Sequence, residues 1–209
     1  MAIEPRRGGA KWVKSLTGGT VGTPPIIRKV VASNNTLAVF TGDWVQIQTD
    51  GTVYPCTTGG GAYATLSGVV VGIERYLGPD SIMRRGTYLP AATTYTGTVS
   101  LSNPLASVIY MIPWENQIFE LDIPTAAATY TAATALIGQC ADIVATAGST
   151  VTGQSGHTSV AVGSFEATTV SGQMLLKAIP QYGLNGLKND PTTTYWKGHF
   201  VAYETLSAV

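Results

Sequence analysis

The chain has 209 residues, only 11% of them charged, with twelve bases against twelve acids. That is well under the roughly 25% of ordinary soluble domains. Twenty-nine threonines, 24 glycines and 11 prolines work against long helices and favour short strands joined by many turns. No run of about 18 apolar residues is present, which argues against a helical membrane span. The N-terminal "MAIEPRRGGAKW" lacks the apolar core of a secretory signal, so synthesis and assembly in a cytoplasm are expected.

The charge is unevenly spread. Residues 1–30 hold six bases (Arg6, Arg7, Lys11, Lys14, Arg28, Lys29) against Glu4, a net of +5; the rest holds six bases against eleven acids, a net of −5. Residues 1–25 have two glycine pairs, a proline pair and no periodicity, and read as an extended basic arm. Such asymmetry marks a segment that binds something acidic. With Trp12 as its only aromatic, the arm suits an acidic protein surface, and no direct nucleic-acid contact is expected.

Residues 26–209 read as a β-rich body. Residues 26–31 and 36–40 are strands separated by "SNN". Residues 44–47 and 53–54 flank "TDGT", a strong hairpin signal. Residues 66–77, "LSGVVVGIERYL", have apolar side chains on both faces and fit a central strand. Core-forming residues thin out over 88–106, a soft boundary between two possible subdomains. Residues 108–112 and 117–123 flank "PWEN" as a second hairpin. Its second strand alternates apolar side chains with Glu120 and Asp122, which predicts one wet face. Residues 126–138 are the one plausible helix, short and ended by Gly138. Four strands follow, in "QCADIVAT", "SVAVGSFEA", "MLLKAIPQ" and "YWKGHFVAYETL". In the last, Trp196, Gly198 and Phe200 alternate with Lys197, His199 and Val201. The expected architecture is an antiparallel β-sandwich or barrel-like body with at most one or two short helices.

Candidate chemistry is sparse. Ser155 and His157 stand two apart in "TGQSGHTS", but a triad draws its parts from distant positions. The nucleophile elbow also needs a glycine where His157 stands and a helix after it. The pair is expected to be a turn, its tip facing solvent or a neighbouring subunit. His199 is a lone strand histidine. Glu120 and Asp122 share a face and are expected to be solvated or in a subunit contact, with acid–base catalysis as the competing use. Cys56 and Cys140 have no metal-ligand spacing and read as small buried residues. The sequence contains no cofactor motif.

The order of these stretches carries a resemblance. A basic arm leads into "GDWVQIQTDGTVYP" and "GVVVGIERYL". Later come "ALIGQCADIVATAGSTVTGQSGHTSVAVGSF", "MLLKAIPQ" and "TYWKGHFVAYETL". Over residues 26–75 and 134–205 this resembles virion structural proteins of tailed bacteriophages, especially capsid decoration (cement) proteins. The resemblance implies a β-rich homo-oligomer, a trimer before a dimer, on the outer surface of an icosahedral head. It would bridge major capsid protein subunits and carry no catalytic residues. Arg6, Arg7, Lys11, Trp12, Lys14, Arg28 and Lys29 would then be the partner-contact set. The alternatives are a head-fibre, tail or receptor-binding virion protein, and a β-sandwich carbohydrate-active enzyme.

Overall fold

A computed structural model of the chain describes residues 9–16, 23–56, 66–78, 80–91, 100–166, 172–184 and 186–202. In chain order the strands are β1 (Lys11–Ser15), β2 (Ile27–Val30), β3 (Val39–Phe40), β4 (Trp44–Ile47), β5 (Val53–Pro55), β6 (Gly68–Leu77), β7 (Met83–Arg84) and β8 (Tyr88–Leu89). Then come β9 (Val108–Pro113), β10 (Gln117–Ile123), helix α1 (Tyr130–Thr134), β11 (Cys140–Ala141), β12 (Ile143–Val144), β13 (Thr158–Ser159), β14 (Met174–Ala178) and β15 (Trp196–Ala202). The protein is mainly β, as its composition predicts.

Two antiparallel sheets form the body. One runs β1-β10-β15-β14-β11 and the other β2-β9-β6-β4-β5, with β7 paired to β6. Between them lies a core in which Phe119, Leu121, Phe200 and Trp196 of the first sheet meet Trp44, Val69 and Ile112 of the second. Trp44 and Phe119 meet edge to face, ring centroids 5.0 Å apart. The second sheet is apolar on both faces. Side chains next in sequence to those core residues, Val45, Val70 and Met111, fall in a separate cluster with Val39 and Leu89. The two-stranded β3–β8 sheet contributes to that second cluster. Alternation of side chains across a strand produces this division, and it explains why β6 reads as a central strand.

The "TDGT" hairpin forms as expected, with β4 paired to β5 and Gly51 at φ +80°. The "PWEN" hairpin does not. β9 pairs with β2 and β6, β10 pairs with β1 and β15, and "PWEN" carries the chain from one layer to the other. Each run already has a paired strand on both edges, so neither has an edge left for the other. The strands before and after residues 88–106 share one sheet, because β6 pairs with β9 across that stretch.

The helix is shorter than the expected 126–138. Thr129 caps it by accepting a hydrogen bond from Ala132 N–H, and Gly138 follows at φ +91°. Part of the expected arm also belongs to the body: β1 pairs with β10 in the first sheet. Arm residues 1–8, including Arg6 and Arg7, and 17–22 lie outside the described residues.

Candidate functional site

The loop carrying Ser155 and His157 does not project. β12 and β13 pair beneath it, as expected of a turn between strands, and its far end reaches solvent, Val151 being 91% exposed. Ser155 is 1% exposed and His157 5%. The glycines explain the difference. Gly153 takes φ +70°, and a β-carbon there would collide with Thr87. Gly9, at φ +63°, passes so close that a β-carbon would strike the Ser155 side chain and the Gly42 carbonyl. The loop is therefore pressed between the N-terminal segment and the β3–β4 and β8 region, where the sequence reading expected an outward tip.

Inside this joint three polar side chains meet. His157 Nδ1 accepts a hydrogen bond from Trp44 N–H at 3.3 Å, which assigns the ring proton to Nε2. Nε2 lies 3.4 Å from Asp43 Oδ1. Asp43 Oδ2 accepts the Phe40 N–H at 2.8 Å. Ser155 Oγ accepts the N–H of His157 at 2.9 Å. Burial is the main cause that pushes the Asp43 carboxyl up, with His157 and Ser155 pulling the other way. Burial also pushes the His157 imidazole down, opposed by Asp43. The histidine is thus held neutral at neutral pH.

A cavity of about 470 Å³ opens beside this joint, lined by Leu37, Phe40, Pro55, Cys56, Asp43 and His157 together with residues 145–148. Ser155 is not in its wall, and neither ring nitrogen of His157 is turned to Ser155 as a base. Cys56 is buried, and its thiol is pushed up to about 12 by burial and by nearby Asp43, so it is a thiol rather than a thiolate. Both cysteines are free and buried, as the spacing implied. No group of three or more His, Cys, Asp or Glu side chains suited to a metal ion occurs among the described residues. No described helix is long and apolar enough to cross a membrane.

The acidic face of β10 corrects a second expectation. Glu120 and Asp122 are 3% and 1% exposed, not solvated. They face the polar side of β15, where register sets Glu120 opposite His199 and Asp122 opposite Lys197. Lys197 Nζ contacts Asp122 Oδ1 directly, and His199 Nε2 lies 3.8 Å from Glu120 Oε2. Residues 180–184 and 186–190 cover them. Leu184 N–H donates to both Glu120 oxygens at 2.9 and 3.1 Å. The Asn189 side chain accepts the Lys197 N–H and donates to the Lys197 carbonyl. A glycosidase pair needs two carboxylates opening onto a substrate, and these two open onto their own chain.

The described members of the partner-contact set lie on two different sheets. Lys11, Trp12 and Lys14 lie on β1. There Trp12 Nε1 donates to Gln117 Oε1 at 2.7 Å, and Lys11 stands opposite Glu120. Arg28 and Lys29 lie on β2 in the other sheet. Arg28 forms a bidentate pair with Glu74 at 2.6 and 2.7 Å, and Lys29 reaches the Gly51 carbonyl at 3.4 Å.

Sequence reading missed Asp43 and Lys197 as partners. Nothing in the spacing joins Asp43 to His157. Lys197 did leave a signal: acid-x-acid in one strand and Lys-x-His in another are complementary faces. Neither a family model, nor a curated protein, nor a solved structure matches the chain.

Proposed function

We propose that the chain is a structural protein of a tailed-phage virion. It lies on the outer surface of the head and bridges major capsid protein subunits as a homo-oligomer, with a trimer the first arrangement to test. The reading starts from the sequence resemblance. The observation that best supports it is where the chemistry-bearing side chains are spent. Asp43, His157, Asp122 and Lys197 turn inward and tie loops and strands together. Large apolar groups such as Ile26, Ile82 and Leu187 stay exposed. A weakly charged surface of this kind suits many modest contacts, and an oligomer multiplies them.

Electron microscopy of particles bearing a tagged chain tests the reading. Density repeating over the whole shell is expected. Density at one vertex or on the tail favours the fibre or receptor-binding alternative instead. The arm needs a finer test than deletion of residues 2–25, which would also remove β1. Removing residues 2–8 takes away Arg6 and Arg7 and spares the sheet. Weaker capsid binding, with a reduced salt dependence, is expected; unchanged binding ends the role of those two arginines.

A further inference from the structure

Asp122 and Lys197 face each other across β10 and β15, with Lys197 Nζ against Asp122 Oδ1. Both are withdrawn from water, at 1% and 9% exposure. Asp122 Oδ2 is buried with no hydrogen-bond partner among the described residues. Glu120 lies two residues along the same strand and therefore on the same face, diagonal to Lys197 across the pair. Asn189 holds both the N–H and the carbonyl of Lys197. We propose that Lys197 and Asp122 become joined by an intramolecular isopeptide bond, with Glu120 as the proton-transfer group.

In water this pair would stay ionic. An ammonium has no free electron pair and a carboxylate is a poor electrophile. In the proposed step the proton on Nζ passes to the touching Asp122 carboxylate, which leaves a neutral amine beside a neutral acid. Burial is the chief cause that raises the Asp122 carboxyl above its usual range. Contact supplies the rest: well-oriented intramolecular reactants reach effective concentrations on the order of 10⁵–10⁸ M.

The step balances without a co-reactant. The Nζ electron pair adds to Cγ of the protonated carboxyl and forms a tetrahedral centre. Glu120 takes a proton from the nitrogen and returns one to the departing hydroxyl. The C–O bond breaks, one water leaves, and a Cγ–Nζ amide remains. Glu120 ends in the state in which it began, which is the behaviour of a general acid–base. Lys11 is a second amine near this face, opposite Glu120 from β1. It is Lys197 that makes the contact.

Intact-mass spectrometry of the full chain, purified and then denatured, tests this. The native chain is expected to be one water lighter than its sequence. Lys197→Arg, which keeps the cation but not the amine, and Asp122→Ala are expected to restore the full mass. Fragmentation after proteolysis is expected to find the peptides bearing Asp122 and Lys197 joined. Glu120→Gln is expected to slow the appearance of the linked form at least tenfold. A native chain at full mass overturns the bond. So does a water loss that persists in Lys197→Arg, which would place it elsewhere, as at the Asp50–Gly51 turn. A link at Lys11 overturns the assignment to Lys197. Glu120→Gln linking at the native rate removes Glu120 from the step, provided circular dichroism shows the variant folded.

Discussion

At Asp43 and His157, buried titratable groups are met by main-chain N–H groups of Phe40 and Trp44. At Asp122 and Lys197, they are met by each other. The first arrangement locks a loop onto the end of the sandwich and asks little of its partners' charge: His157 stays neutral and acts as a hydrogen-bond acceptor. The second ties the middles of two neighbouring strands, and there, until an amide joins them, the charge of one side chain is answered chiefly by the charge of the other. A main-chain partner tolerates changes of protonation that a side-chain partner does not.

The largest effect is expected where that dependence is greatest. Lys197→Ala leaves Asp122 buried without its partner, whether that partner is an ion or an amide nitrogen, and should cost at least about 3–5 kcal/mol, the usual penalty for orphaning one member of a buried pair. Urea unfolding measures it. A cost under about 1 kcal/mol would erase the contrast between the two regions, since surface ion pairs have that value.

His157→Ala should cost less, about 1–3 kcal/mol, because it strands the Trp44 N–H in a dry site but leaves Asp43 its bond from Phe40. The same unfolding experiment gives the comparison directly. A loss equal to that of Lys197→Ala would mean that the Asp43–His157 contact behaves as an ion pair.

The pH profile sharpens the difference further. His157 is depressed in the folded state, so on acidification the unfolded chain takes up this proton first. Its contribution to stability is complete above about pH 6.5 and declines as pH falls below that, by at most about 1.4 kcal/mol per pH unit. Asp43 has the opposite sign. Its folded carboxyl is raised, so the cost of burying the charge is present at neutral pH and is relieved as pH falls through the raised value. The histidine's part is a loss of stability between pH 7 and pH 5.5, so the profile of His157→Gln is expected to fall less steeply than the native one over that range. An identical slope in the variant would assign the decline to other groups.

The smallest effect is kinetic. Cys56 lines the cavity, so a small alkylating reagent can reach its surroundings, but the thiolate that would react is suppressed. Iodoacetamide at pH 8 is expected to label Cys56 slowly in the folded chain and rapidly in urea. Equal rates would show that Cys56 is not held in the buried, acid-flanked setting described here.

Much of the fold was legible because it rests on period-two patterning. The strand at residues 66–77, the "TDGT" hairpin and the alternation in the last strand each follow from which side chains need cover. The "PWEN" segment was misread because local turn chemistry reports a reversal without naming its partner. A strand with two apolar faces leaves one layer as readily as it turns back within it. The wet face assigned to Glu120 and Asp122 failed for a related reason: alternation identifies a polar face, not the chain segment that covers it. The buried histidine was the least legible. Its partners, Asp43 and Trp44, lie more than a hundred residues away, and glycine served there for close packing rather than for a loose tip.

In the five-stranded sheet, only β14 and β15 are neighbours both in the sheet and in the chain. Trp12 finds Gln117 across 105 residues. Each such pairing closes a long loop before it gains any contact energy. The sheet therefore cannot assemble by successive hairpins, and high contact order places its folding toward the slow end for domains of this class. Until β10 is seated, β1 has no partner within its own chain, and an unpaired strand edge is free to take the equivalent place in another copy. At high concentration, refolding should be diverted into exchanged oligomers.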